Sequence, residues 1–90
     1  MSEVSRTVRI VNRRGLHARA SAKFVTLAAG QSTEVHVGKD GSEVTGTSIM
    51  GLMMLGAAMG DEITIRAEGD GAEQAVATLC DLVEAKFGED

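Results

Sequence analysis

Residues 15–22 read GLHARASA, and the segments on either side decide what this stretch is. Before it, residues 4–11, VSRTVRIV, put Val4, Val8 and Ile10 on one side of a period-two pattern, the mark of a half-buried strand. Residues 12–16, NRRGL, form a loop in which Gly15 is the flexible point. After it, residues 18–29, ARASAKFVTLAA, repeat apolar side chains at Ala20, Phe24, Leu27 and Ala28, a helical spacing. Gly30 then ends the helix in a C′ role. The stretch is therefore a strand-to-helix junction with a histidine, His17, at the helix start.

The same reading carries along the chain. Residues 32–38 alternate, with Thr33, Val35 and Val37 on one face. Asp40-Gly41 is a hairpin signal leading into a short strand around Glu43-Val44-Thr45. Residues 48–55, SIMGLMML, make a short helix that Thr47 or Ser48 can cap and Gly51 weakens by about 1 kcal/mol relative to alanine. Glu62 to Ala67 alternates with Ile63, Ile65 and Ala67 facing one way. Residues 71–87 read as the longest helix, with Ala72, Val76, Leu79, Cys80, Val83 and Phe87 along one stripe. The order is β-α-β-β-α-β-α. Short alternating strands have one wet face each, so an antiparallel or mixed sheet of four strands, covered by helices on a single side, is expected. The fold class is a two-layer α/β (α+β) sandwich in a single domain, residues 1–90.

The chain has 90 residues, of which 43% are apolar, and only Phe24 and Phe87 are aromatic. No apolar run approaches the roughly 18 residues of a membrane span. The single cysteine, Cys80, cannot close an internal disulfide, and the N-terminus lacks an apolar signal region; both point to the cytoplasm. A net charge of −4 argues against nucleic-acid binding. The charge is unevenly spread. Residues 1–23 hold six of the nine basic residues (Arg6, Arg9, Arg13, Arg14, Arg19, Lys23) and one acid, Glu3. His17 lies in the only basic segment of an acidic chain, which favours an anionic group there.

On the residues alone, His17 has two readings: a side chain that merely ends a loop, or an imidazole handed to a helix start. The first N–H groups of a helix lack internal partners and carry partial positive charge. A dianion attached to the ring can accept from the N–H groups of Ala18 and Arg19, and the Arg19 guanidinium suits phosphate oxygens. Small residues at 18, 20, 21 and 22 leave room for another active site to approach. Competing chemistries lack their signatures. There is no strand-elbow serine motif, no P-loop and no G-x-G-x-x-G. His17, His36 and Cys80 are isolated from one another, so no metal site is expected. His36 alternates with Val35 and Val37 and should lie on the wet face; Cys80 belongs to a core stripe. No cofactor and no obligate oligomer are implied.

Two motifs together go further. GLHARASA resembles the phosphorylation-site motif of HPr, the histidine phosphocarrier of the phosphoenolpyruvate-dependent phosphotransferase system. TSIMGLMMLGAAMGDEITI, residues 47–65, is similar to that family's second signature, around its regulatory serine. The resemblance covers nearly the whole chain. It implies an open-faced sandwich of four antiparallel strands with three helices on one side, and a carrier rather than an enzyme. It implies that His17 accepts a phosphoryl group through Nδ1 from enzyme I and passes it to a histidine of an enzyme IIA-type acceptor, with Arg19 as charge partner. Ser48 matches the serine that HPr kinase/phosphorylase modifies in some bacteria. Ala20 stands where many sugar-transport members have proline, a variation found in the nitrogen-related branch; this inclines the reading toward a regulatory cascade. Thr47 stands where some members have lysine.

The segment after Ser48 holds more apolar residues than one buried stripe of so short a helix can take. Leu52 and Leu55 are expected in the core. Ile49, Met50, Met53 and Met54 are expected to form an exposed patch that, in an HPr-like fold, lies beside His17 and docks donor and acceptor proteins. An alternative is a binding module without phosphoryl transfer, acting through Ser48 and this methionine patch.

Overall fold

The computed structural model describes residues 3–89. Its elements are β1 (Glu3–Arg9), α1 (Ala18–Ala29), β2 (Val35–Lys39), β3 (Ser42–Thr45), α2 (Ile49–Met54), β4 (Glu62–Glu68) and α3 (Ala72–Glu84), followed by a 3-10 turn over Lys86–Gly88. The sheet order is β1-β4-β2-β3, and every neighbouring pair is antiparallel. β1 and β2 therefore run parallel with β4 between them, and α1 makes the crossover that parallel strands need.

One face of the sheet is core. Val8, Val35, Val37, Ile63, Ile65 and Ala67 are buried there against Ala20, Phe24, Leu52, Val76, Leu79 and Val83 from the three helices. The other face is polar and open. On it Arg66 reaches Glu43 through Nε and Nη2, both at 2.6 Å, and Glu3 through Nη1 at 3.2 Å. The Arg66 guanidinium holds the Glu43 carboxyl below the usual carboxylate range. The expected single-sided α+β sandwich is the observed fold.

Three local readings need correction. Gly30 caps α1 at φ −84°, in right-handed rather than left-handed backbone, because its N–H stays close to the Leu27 carbonyl at 3.2 Å. The second strand starts at Val35, because the Thr33 hydroxyl donates to the Glu68 carbonyl at 2.8 Å instead of joining the ladder. The last helix ends at Glu84, not at residue 87. Lys86 and Phe87 take left-handed backbone at φ 59° and 55°, at a cost of roughly 1–2 kcal/mol each. Phe87 is still buried, but it enters the core from a bend rather than from a continued helix. Burial of an aromatic ring offsets that strain.

Two glycines position the loops. Gly15, at φ +64°, lies against the chain after α2; an added Cβ would collide with the Ala57 carbonyl oxygen and sit 2.9 Å from Ala58 Cα. Gly51 does more than weaken α2: it lets the helix pack on Val44, whose Cβ lies 3.0 Å from where a Gly51 Cβ would be. Gly15→Ala is expected to destabilise the fold by roughly 2 kcal/mol, lowering Tm on the order of 10 °C in a chain this small. Thermal denaturation followed by circular dichroism checks this; an unchanged Tm contradicts it.

Candidate functional site at the start of the first helix

The loop between β1 and α1 is built around Asn12, which is buried. Asn12 accepts the Gly15 N–H at its backbone carbonyl (3.2 Å) and donates from Nδ2 to the Gly15 carbonyl (2.9 Å). That turn sends the chain through Leu16, whose N–H donates to the Ala57 carbonyl at 3.0 Å. His17 then caps α1. Its backbone is extended (φ −73°, ψ 178°), and its carbonyl takes the Ser21 N–H at 2.8 Å. The hydroxyl of buried Ser21 donates back to the Leu16 carbonyl at 3.2 Å, pinning the junction.

The ring of His17 is held at both nitrogens. Nδ1 accepts the Arg19 N–H at 3.2 Å. Nε2 is hydrogen-bonded to the Glu89 carboxylate. Since Nδ1 accepts and a carboxylate can only accept, the neutral ring carries its hydrogen on Nε2. The side chain is about 15% exposed and opens into a cleft of about 390 Å³. Four cationic residues, Arg13, Arg14, Arg19 and Lys23, line that cleft with His17 and Glu89. Lys23 Nζ also donates to the Phe87 carbonyl at 2.7 Å, tying the C-terminal bend to α1. The hydrogen bond from His17, then that from Asn12, with the charge of Arg14 a smaller contribution, hold the Glu89 carboxyl below its usual range, against the opposing effect of burial. Chemically, this is a nucleophilic ring nitrogen facing a helix amide in a basin that attracts a dianion.

Ser48 caps α2: its Oγ accepts the Gly51 N–H at 3.0 Å. Leu52 is buried and Leu55 packs against the core. Ile49, Met50, Met53 and Met54 are each exposed, with Met50 at 69% and Met54 at 80%. Met59, at 58%, extends the set of exposed apolar residues in the following loop and was not anticipated. His36 sits on the open face, 3.4 Å from Glu34, and Cys80 is in the core. Among the described residues no helix is long and apolar enough to cross a membrane.

Asn12 and Glu89 are the site residues that sequence reasoning missed. Asn12 read as part of an ordinary polar loop. Glu89 lay beyond a helix whose stripe seemed to run through Phe87, so nothing local pointed it at His17.

The model of the family described as "PTS HPr component phosphorylation site" matches residues 4–85. The chain belongs to the HPr family. HPr proteins are phosphocarriers of the phosphotransferase system. The chain is 45% identical over 86 residues to the phosphocarrier protein HPr of Neisseria meningitidis serogroup A, covering 96% of this chain and 97% of that one. It is 38% identical over 89 residues to the phosphocarrier protein NPr of Shewanella violacea, covering 99% and 98%. Relatives of both names therefore match. The crystal structure of HPr-C-His from Thermoanaerobacter tengcongensis superposes with a TM-score of 0.89 at 47% identity, covering 100% of this chain and 99% of that one. A second crystal structure of HPr from that organism, described as a dimer, gives a TM-score of 0.76 at 47% identity, covering 99% and 100%.

The depressed Glu89 carboxyl has a consequence for stability. A lowered folded value means that its contacts stabilise the fold above the ordinary value of 4.5, and that this contribution disappears as pH falls through the folded value. The stability gap between wild type and Glu89→Gln is therefore expected to narrow on acidification below pH 4.5. Urea denaturation at a series of pH values measures it, and a gap that widens there contradicts the assignment.

Proposed function

We propose that this chain is a phosphocarrier whose His17 Nδ1 accepts a phosphoryl group from phosphorylated enzyme I and passes it to a histidine of an enzyme IIA-type acceptor. One observation carries this reading: the Nδ1 lone pair faces the Arg19 amide at a helix start, inside a cleft lined by four cations. In the step, Nδ1 attacks phosphorus while the nitrogen–phosphorus bond of the donor histidine breaks. The ring keeps its Nε2 hydrogen. The Arg19 N–H, which donates to Nδ1 in the resting protein, exchanges to an oxygen on the new phosphoryl group, joined by the Ala18 N–H. The Arg19 guanidinium offsets the transferred charge. Transfer onward is the reverse, with the acceptor histidine as nucleophile.

The exposed residues Ile49, Met50, Met53 and Met54 act as the docking surface for both partners. Methionine adapts to differently shaped surfaces, and the hydrogen bond from Leu16 to Ala57 ties the His17 loop to the chain after α2. Contacts of this kind favour rapid release, which a shuttle needs. The acceptor determines whether the carrier serves sugar transport or the nitrogen-related branch. We read the chain as a cytoplasmic monomer; the dimer described for the Thermoanaerobacter relative makes solution mass the measurement that checks it. Ser48 is read as a regulatory phosphorylation site for HPr kinase/phosphorylase. A phosphate there replaces a neutral cap with about two negative charges beside the docking patch and repels acidic partners.

Incubation with phosphoenolpyruvate and enzyme I is expected to add one acid-labile phosphoryl group, read by intact mass, and none in His17→Ala. Arg19→Ala is expected to slow acceptance roughly 10- to 100-fold, the rate equivalent of a charged hydrogen bond worth about 1.5–3 kcal/mol. No adduct on the wild type with a competent donor contradicts the carrier and favours the binding module. For Ser48, HPr kinase and ATP should give one acid-stable adduct that is absent in Ser48→Ala; its absence from the wild type retires the regulatory role.

A further inference from the structure

We propose that Asn12 and Glu89 form a clamp that holds the His17 ring in one tautomer, with the hydrogen on Nε2 and the lone pair on Nδ1, so that Glu89 is a positioning residue for phosphoryl acceptance. The functional half of this rests on His17 Nδ1 being the acceptor. The structural half stands on its own geometry.

Glu89 uses its two carboxylate oxygens separately. Oε2 meets His17 Nε2, and Oε1 accepts from Asn12 Nδ2 at 3.1 Å. Asn12 is 1% exposed and is itself locked by the Gly15 carbonyl at 2.9 Å, so the carboxylate is anchored to the rigid base of the same loop that presents His17. The other end of the clamp is built as deliberately. Left-handed backbone at Lys86 and Phe87 turns the chain back after α3. Phe87 is buried in the core, and Lys23 Nζ donates to its carbonyl at 2.7 Å. These contacts bring the chain's C-terminal segment over a loop near its beginning.

A carboxylate accepts hydrogen bonds and cannot donate, so it selects the ring form with hydrogen on Nε2. A neutral imidazole has one such hydrogen, and Nδ1 is left as the nucleophile, facing the Arg19 N–H. When the Nδ1–phosphorus bond forms, the ring becomes cationic with its Nε2 hydrogen in place. The Glu89 carboxylate is then the counter-ion of that cation, and no proton has to leave. It approaches the ring at Nε2, away from the nitrogen that takes the phosphoryl group. A third group that orients the working imidazole is the logic of a catalytic triad, here without a serine.

The test uses the full-length protein labelled with nitrogen-15. In the unphosphorylated wild type, the ring shifts of the neutral His17 should show a donor-type Nε2 and a lone-pair Nδ1. Glu89→Gln, whose amide can donate as well as accept, should give a mixture of tautomers and accept phosphoryl groups from phosphorylated enzyme I about tenfold more slowly. Asn12→Ala, checked for a folded amide spectrum, should move the ring shifts in the same direction. If Asn12→Ala does not fold, Glu89→Gln alone decides. Ring shifts in Glu89→Gln identical to wild type overturn the clamp, and a changed tautomer with an unchanged acceptance rate overturns its positioning role. A wild type that takes no phosphoryl group overturns the carrier reading instead, and the ring shifts still judge the clamp.

Discussion

The backbone of Gly15 runs so close to that of Ala57 and Ala58 that only a residue without Cβ fits there. That approach joins two loops which are distant in sequence. One carries His17 to the start of α1, and the other follows α2 with its exposed methionines. With Gly15 in left-handed backbone, Leu16 can donate to Ala57 and His17 arrives at the cap position with its ring nitrogen beside the Arg19 amide. The sheet and helices supply the rigid base, and this one contact sets the register between the proposed phosphoryl site and the proposed docking surface.

The site is electrostatically lopsided in a chain whose net charge is −4. Four cations line a cleft that holds a single carboxylate, Glu89. The carboxylate meets the ring at Nε2, which leaves Nδ1 to the Arg19 amide at the helix start. A basin of this kind favours a dianion without binding it permanently, because the cations are held on exposed side chains and the surrounding water screens them. For the proposed carrier, transient binding of a phosphoryl group and transient docking of proteins are the same requirement at two length scales.

Much of this was legible because it is local. Alternation at Val35 and Val37, and at Ile63, Ile65 and Ala67, located strands whose buried faces agree residue for residue. Asp40-Gly41 announced a hairpin, and both residues take positive φ, 50° and 84°. The bounds of α1 followed from Ala20, Phe24 and Ala28. The placement of His17 and Arg19 at the start of α1 was readable because both belong to one local helix start. The rest was not local. Phe87 lies four residues after Val83, a spacing that a continued helix and a buried left-handed bend satisfy equally well, so pattern alone extended α3 too far. Asn12 and Glu89 meet only because that bend returns the chain, and no window along the sequence contains both. The orphaned side-chain oxygen of Asn12, buried without a partner among the described residues, is likewise invisible before the fold is known.

The most direct measurement is nuclear magnetic resonance of nitrogen-15-labelled protein after phosphorylation by enzyme I and phosphoenolpyruvate. One-bond coupling between phosphorus-31 and His17 Nδ1 is expected, with the Arg19 amide proton among the largest downfield shifts as it exchanges from the ring to a phosphoryl oxygen. Coupling to Nε2, or an Arg19 amide that does not move, contradicts a phosphoryl site built on the start of α1.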